Sequence, residues 1–209
     1  MVDGILLIGA SGLAREVLAA GIIGVVGILD DDADLRGTEI AGVPVLGPVI
    51  EASSRTEALL VCVGRSQGRR SVVRRLREAG VGERRYIAFV AGSVRMGPSS
   101  HILPGTILLD GVVVTADAAI GRHVVIMPNC TITHDDVVED FATLAAGVSL
   151  GGSVRVGEAA YIGMNASVRQ GLNVGVAATV GMGAVVLDDV PDGASWAGVP
   201  AHEIRRRPV

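Results

Sequence analysis

The chain has 209 residues, 49% of them hydrophobic, with five aromatic side chains, 29 glycines and a formal net charge of −4. That composition is too apolar and too weakly charged for a disordered chain, and glycine does not recur every third residue as in collagen. No run of 18 apolar residues predicts a membrane insertion, and the mildly acidic balance argues against nucleic acid as a partner.

The opening residues Met1-Val2-Asp3-Gly4 lack a basic start and read as the lead into a strand, not a signal peptide. Ile5–Ile8 predicts a buried strand, followed by the turn Gly9-Ala10-Ser11-Gly12 and a helix with Leu13, Val17 and Leu18 on one face. Val25–Leu29 predicts a second strand, ending at Asp30-Asp31-Asp32, and Leu59–Val63 a third, ending at Gly64. Arg65–Ala79 predicts a helix with the apolar stripe Val72, Val73, Leu76 and Ala79. Its arginines (65, 69, 70, 74, 75, 77) read as a solvated face. Strand and helix alternate, so residues 1–85 predict a small α/β Rossmann-like domain.

From Val90 the pattern changes. Every sixth residue from Val90 to Val186, seventeen in all, is Ile, Leu, Val or Met. Glycine follows that residue at 97, 121, 151, 157, 163, 175 and 181, and the position two before it is mostly small or aliphatic. A period of six fits a hexapeptide parallel β-helix, in which three hexads close one 18-residue triangular coil. Small side chains fill its narrow interior, which accounts for the few aromatics. Glycine suits corners that need positive φ or close backbone approach. Residues 86–190 are therefore predicted as a left-handed β-helix and 191–209 as a C-terminal tail.

Strand ends in an open α/β sheet are where ligands bind. Gly9, Ser11 and Gly12 precede a helix N-terminus able to receive a phosphate. Asp30 and Asp31 close the next strand, where a carboxylate can hold ribose or base, and Gly64 and Arg65 close the third. These residues sketch a nucleotide site, and each also reads as plain turn chemistry, with Ser11 as a helix cap. The histidines at 101, 123, 134 and 202 lack metal-type spacing, so no metal is expected. His134 differs because Asp135 and Asp136 follow it, and its stacked neighbours 18 residues away are Ala116 and Gly152. An imidazole between such small residues faces open space, as a surface histidine or as a functional one. Cys62 and Cys130 suggest a reducing, cytoplasmic setting, with Cys130 in the core and not a nucleophile. The chain has no lysine, which excludes Schiff-base and P-loop lysine chemistry.

Ile132-Thr133-His134-Asp135, the segment Gly181–Pro191 and Gly198-Val199-Pro200-Ala201 resemble the active-site pair and closing coil of hexapeptide acyltransferases. With the N-terminal Gly-Ala-Ser-Gly turn and Leu29-Asp30-Asp31-Asp32, the whole chain resembles the sugar acetyltransferases of the bacillosamine and perosamine N-acetyltransferase and sialic acid O-acetyltransferase type. The resemblance implies an acetyl-CoA-dependent enzyme acting on a nucleotide-linked amino sugar, and a homotrimer with acetyl-CoA between adjacent prisms. It assigns His134 as general base and Asp135 as its orienting partner. Gly151, Gly152, Met164, Met182, Gly198, Val199, Pro200 and Ala201 become cofactor contacts, with Met164, Met182 and Pro200 in one 18-residue column. Two family histidines are replaced, by Leu13 and Thr143. O-acetylation, a catalytically decayed binding protein and a dinucleotide oxidoreductase are the competing readings.

Overall fold

A computed structural model describes residues 4–204. The readings made for residues 1–3 and 205–209 lie outside the described residues. The α/β part comprises β1 (Ile5–Ile8), α1 (Gly12–Ala19), β2 (Val25–Leu29), β3 (Glu39–Ile40), β4 (Val43–Gly47), β5 (Ala58–Val61) and α2 (Ser66–Glu78). The sheet order is β3-β4-β2-β1-β5, parallel except for the edge pair β3–β4. Sequence periodicity misses β3 and β4. Pro44 sits inside β4 and masks the strand signal, yet Ile28 and Leu29 pair with Val45 and Gly47 beyond it.

The repeat forms a left-handed β-helix. Seventeen two-residue strands run from Phe89–Val90 to Val185–Val186, and the second residue of each is the repeated aliphatic. They stack in parallel at an offset of 18, for example Val114 on Ile132. The strands make three faces. The first carries 95–96, 113–114, 131–132, 149–150, 167–168 and 185–186. The second carries 101–102 to 173–174, and the third 89–90 to 179–180. From Leu108 to Val186 every repeated aliphatic is buried in one continuous core. Val90 and Met96, by contrast, are 41% and 40% exposed, because no coil lies below the first one to cover them.

The glycines after the aliphatics owe their place to close approach, not to positive φ. A methyl at Gly121, Gly157 or Gly163 would run into the backbone of the next coil. Positive φ falls two residues later, at every sixth position from Gly105 to Gly183, and includes His123, Asp135 and Phe141. The tail leaves the 18-residue register. Val174 pairs with Val190, and Thr179 with Ser195, an offset of 16. The strand Ser195–Ala197 closes the third face, and His202–Glu203 turns back antiparallel on it.

The α/β part docks on the third face and on the corner between the second and third faces. Arg69 is the junction. The helical spacing Arg69, Val73, Leu76 puts it on the buried stripe of α2, so the reading of all six arginines as a solvated face fails at this one. Among the described residues its guanidinium meets no carboxylate. It donates instead to six oxygens: the carbonyls of Val63, Gly64, His123, Phe141 and Ala142 and the hydroxyl of Thr143, at 2.6–3.1 Å. Burial pushes its pKa down to about 9, which still leaves it charged at neutral pH.

His123 lies beside this node, stacked on Phe141 at 5.1 Å and edge-on to Tyr86 at 4.6 Å. Among the described residues neither ring nitrogen has a hydrogen-bond partner. Burial first, then Arg69 and Arg122, push its pKa from 6.5 down to about 4. The folded state therefore holds it neutral, while an unfolded chain takes up a proton below pH 6.5. Its contribution is intact above pH 6.5 and is lost as the pH falls toward 4, by about 3 kcal/mol at 1.36 kcal/mol per unit. His123→Phe keeps the stacked shape, and Phe141 already adopts the same left-handed backbone. The expected result is that wild type loses about 3 kcal/mol relative to this variant between pH 6.5 and 4 in urea titrations. Parallel curves would show that His123 is not the group responsible.

Candidate active site

His134 sits at the corner between the first and second faces, after the strand Thr131–Ile132. Asp135 takes positive φ there, and its amide donates to the carbonyl of Ala116 on the coil below. This conformation brings Asp135 Oδ2 to 2.8 Å from His134 Nδ1. The carboxylate accepts from Nδ1–H and leaves Nε2 as the free, proton-accepting nitrogen. The side chain is 66% exposed. Its ring lies against Gly152 of the coil above, where a methyl would run into Nε2 and Cε1. The amide of Gly152 donates to no protein acceptor among the described residues. A free base nitrogen, an orienting carboxylate and an unspent backbone donor thus share one corner. That set can take a proton from an attacking nucleophile and stabilise a developing oxyanion. Gly152→Ala is expected to displace the ring and lower kcat by roughly 10–100-fold, with the melting temperature little changed, since a misplacement of about 1 Å costs that much. Unaltered kcat would show that the ring does not work from this position.

Met164 and Met182 lie on the corner between the third and first faces, 49% and 77% exposed, with Gly183 N bonded to Met164 O. Pro200 does not continue their column. The closing coil is two residues short, so Gly198 is the residue in register above Met182, and Val185 bonds both Gly198 and Ala201. The 18-residue rule fails here because the repeat has ended.

The remaining candidates gather at the carboxyl ends of the α/β strands. Gly9 has φ +104 and lies against Cys62 O, so only glycine fits. Ser11 caps α1 by accepting from Leu13 N, and it donates to Cys62 O at 2.7 Å. Asp30 accepts the amide of Ala10 at 2.6 Å and so braces the glycine turn. Asp31 is engaged by Val49 N and pairs with Arg75. Gly12 and Gly64 are open on their outer sides. Arg65 borders a cleft of about 680 Å³ that runs between the start of α2 and Tyr161 and Thr179 of the third face. Leu13 is buried on the inner face of α1. Thr143 is buried at the Arg69 node, 2.8 Å from Ser66 Oγ. Neither reaches the His134 corner. Among the described residues no cluster of His, Cys, Asp and Glu could hold a metal, and no helix is long and apolar enough to cross a membrane.

One chain therefore brings His134, Asp135, Gly151 and Gly152 together, the methionine corner separately, and the glycine turn separately again. Sequence reasoning named Arg69, Thr143 and Asp136 without finding the part that each plays. The first was signalled by its place on the apolar stripe, and the last by an acidic residue at an interior position of the hexad.

The chain thus presents a left-handed hexapeptide prism with a histidine–carboxylate pair at an open corner, behind an α/β domain. No protein-family model matches the chain. Over 101 residues it is 29% identical to UDP-3-O-acylglucosamine N-acyltransferase of Methylobacterium sp. (strain 4-46), covering 48% of this chain and only 24% of that relative's length. Solved structures match nearly end to end. A point mutant of GDP-perosamine N-acetyltransferase from Caulobacter crescentus, in complex with CoA and GDP-perosamine, is 29% identical with 99% of both chains covered and a TM-score of 0.88. The acetyltransferase domain of PglB from Neisseria gonorrhoeae FA1090, in complex with acetyl coenzyme A, is 29% identical over 98% of this chain and 100% of that one, with a TM-score of 0.88. WeeI from Acinetobacter baumannii AYE is 29% identical over 96% and 99%, with a TM-score of 0.85. At 29% identity, the chain is similar over nearly its whole length to acetyltransferases of solved structure.

Proposed function

We propose that the protein transfers acetyl from acetyl-CoA to the amino group of a nucleotide-linked amino sugar. The observation that carries this reading is the corner where His134, held by Asp135, lies against bare Gly152, in a chain similar over 99% of its length to a GDP-perosamine N-acetyltransferase. In this reading the amine attacks the thioester carbonyl. The C–N bond forms, and Gly152 N–H stabilises the oxyanion. Nε2 of His134 takes the proton from nitrogen, and the C–S bond then breaks. The same proton passes to the departing thiolate, giving CoA and the amide. Asp135 stays ionised and supports the imidazolium, as the carboxylate does in a catalytic triad.

The nucleotide end of the substrate is assigned to Gly9, Ser11, Gly12, Asp30, Asp31, Gly64 and Arg65. Acetyl-CoA is assigned to Gly151, Gly152, Met164, Met182 and the segment Gly198–Ala201. His134 stands on the corner opposite the third face, where the α/β part of the same chain docks. A sugar held by one chain's α/β part is therefore acetylated at another copy's histidine, and the assembly proposed is a homotrimer. The compartment implied is the cytoplasm, where acetyl-CoA is available and both cysteines stay reduced. The deciding experiment incubates the protein with acetyl-CoA and matched amino and hydroxy forms of one nucleotide sugar, following CoA release. Acetylation of the amine alone is expected. Turnover of the hydroxyl form, or of neither, would overturn the proposal.

A further inference from the structure

Inside the prism, one column runs through Ser100, Ala118, Asp136, Val154 and Leu172, and Asp136 is its ionisable member. It is fully buried. Small or apolar residues fill this position elsewhere, so a carboxylate there needs a reason. The backbone ladder beside it supplies one. At the turns of the first face, the amides of Gly97, Thr115, Gly151 and Arg169 each donate across coils, to the carbonyls of Val114, Ile132, Val168 and Val186. Thr133, the residue before His134, departs from this rule. Its amide turns onto Asp136 Oδ2 at 2.7 Å, and its hydroxyl takes the carbonyl of Leu150 at 3.1 Å. Asp136 Oδ1 accepts the amide of Val154 at 2.8 Å, at the end of the turn that carries Gly152.

Other polar residues in the interior separate these two bonds. Ser100 and Thr106 accept the amides of Ala118 and Val124 on the next coil at 3.1 Å, and the ladder at their turns stays intact. Tying two coils together therefore does not require a carboxylate. What the carboxylate adds is an acceptor for Thr133 N.

We propose that Asp136 is a positioning residue: by drawing the Thr133 amide out of the ladder, it holds the turn so that the His134 imidazole lies against Gly152. This rests on His134 being the base. Burial pushes the Asp136 carboxyl up to about 6, against the amides of Val154 and Thr133 and nearby His134, which favour its anion. It is ionised at neutral pH, and it takes up a proton as the medium turns acid. The ionisable groups around it are His134 and Asp135 on its own turn and Asp117 on the coil below. On the coil above, Gly151–Val154 offers none, and Arg155 pairs with Glu139.

The test is Asp136→Asn, which can still accept from Val154 at its oxygen but cannot accept from Thr133 at its NH₂. Asp136→Ser, the residue found at position 100 of the same column, is the second variant. Both are expected to lower kcat on the order of 10–100-fold with KM for either substrate nearly unchanged, as for a base held off its position. The acid limb of the kcat profile should become shallower by one proton. In a His134→Ala background the same substitutions should change nothing further. Unchanged kcat in both variants, or an equal loss in both backgrounds, overturns the assignment of Asp136 alone. A His134→Ala enzyme with normal kcat overturns the base, and this proposal with it.

Discussion

His134→Ala is expected to lower kcat by about 10²–10⁴-fold, the usual contribution of a single positioned general base. On the energy scale that is about 3–5 kcal/mol of transition-state stabilisation. In the proposed mechanism the loss falls on kcat, because there the imidazole acts when the nitrogen gives up its proton and not when the substrates dock. The fold should not respond. The ring is mostly exposed and contributes nothing to the prism core, so the melting temperature should stay within the scatter of surface substitutions. Steady-state kinetics alongside a thermal melt check both halves. Near-normal turnover would remove His134 from the chemistry, and a collapsed melting temperature would mean the loss reports unfolding instead.

Arg69→Met should give the largest loss of stability. Methionine can fill the channel that the arginine stem occupies, but it donates to none of the six oxygens that the guanidinium satisfies. Stranding buried acceptors of a charged donor is expected to cost about 3–5 kcal/mol. Those acceptors come from both parts of the chain: Val63 and Gly64 at the end of β5, and His123, Phe141, Ala142 and Thr143 on the prism. The variant should therefore also let the two parts move relative to one another and raise KM for the proposed sugar nucleotide, to whose binding Gly64 is assigned only in that proposal. Urea denaturation reads the first effect and initial rates the second. A loss below about 1 kcal/mol would mean that water reaches the stranded carbonyls.

Much of this architecture was legible in the sequence, because the physics that fixes it is local and periodic. The six-residue spacing of the aliphatics dictates which side chain points inward, and strands form at all seventeen positions. His134 and Gly152 could be paired on paper because 18-residue stacking is rigid through that stretch. Pro200 was misplaced because the same arithmetic was carried past the point where the coil shortens. Arg69 was misread because charge was weighed ahead of helical phase. Six correctly aimed oxygens can hold a buried cation, and no local pattern announces them. Asp136 was signalled by its interior position, but its role was not, for a related reason. Its importance lies in one amide that leaves the ladder, and only the placement of every neighbouring amide makes that departure visible.

The short closing coil has a consequence for aggregation. A stack of parallel strands invites further strands at either end, and exposed edges of this kind template fibre-like growth. Here Ser195–Ala197 pairs parallel with the strand below it, and His202–Glu203 then runs the opposite way along its outer edge. A second prism arriving end-on meets a reversed strand that carries a charge and an imidazole. At the other end, the bridge between Leu59 and Tyr86 ties the α/β part to the start of the prism. Arg95 and His101 stand on the lowest strands of the two remaining faces, where polar and charged side chains act as gatekeepers. Deleting the returning strand while keeping the coil beneath it would leave a protein still able to fold its core, but prone to stack end to end.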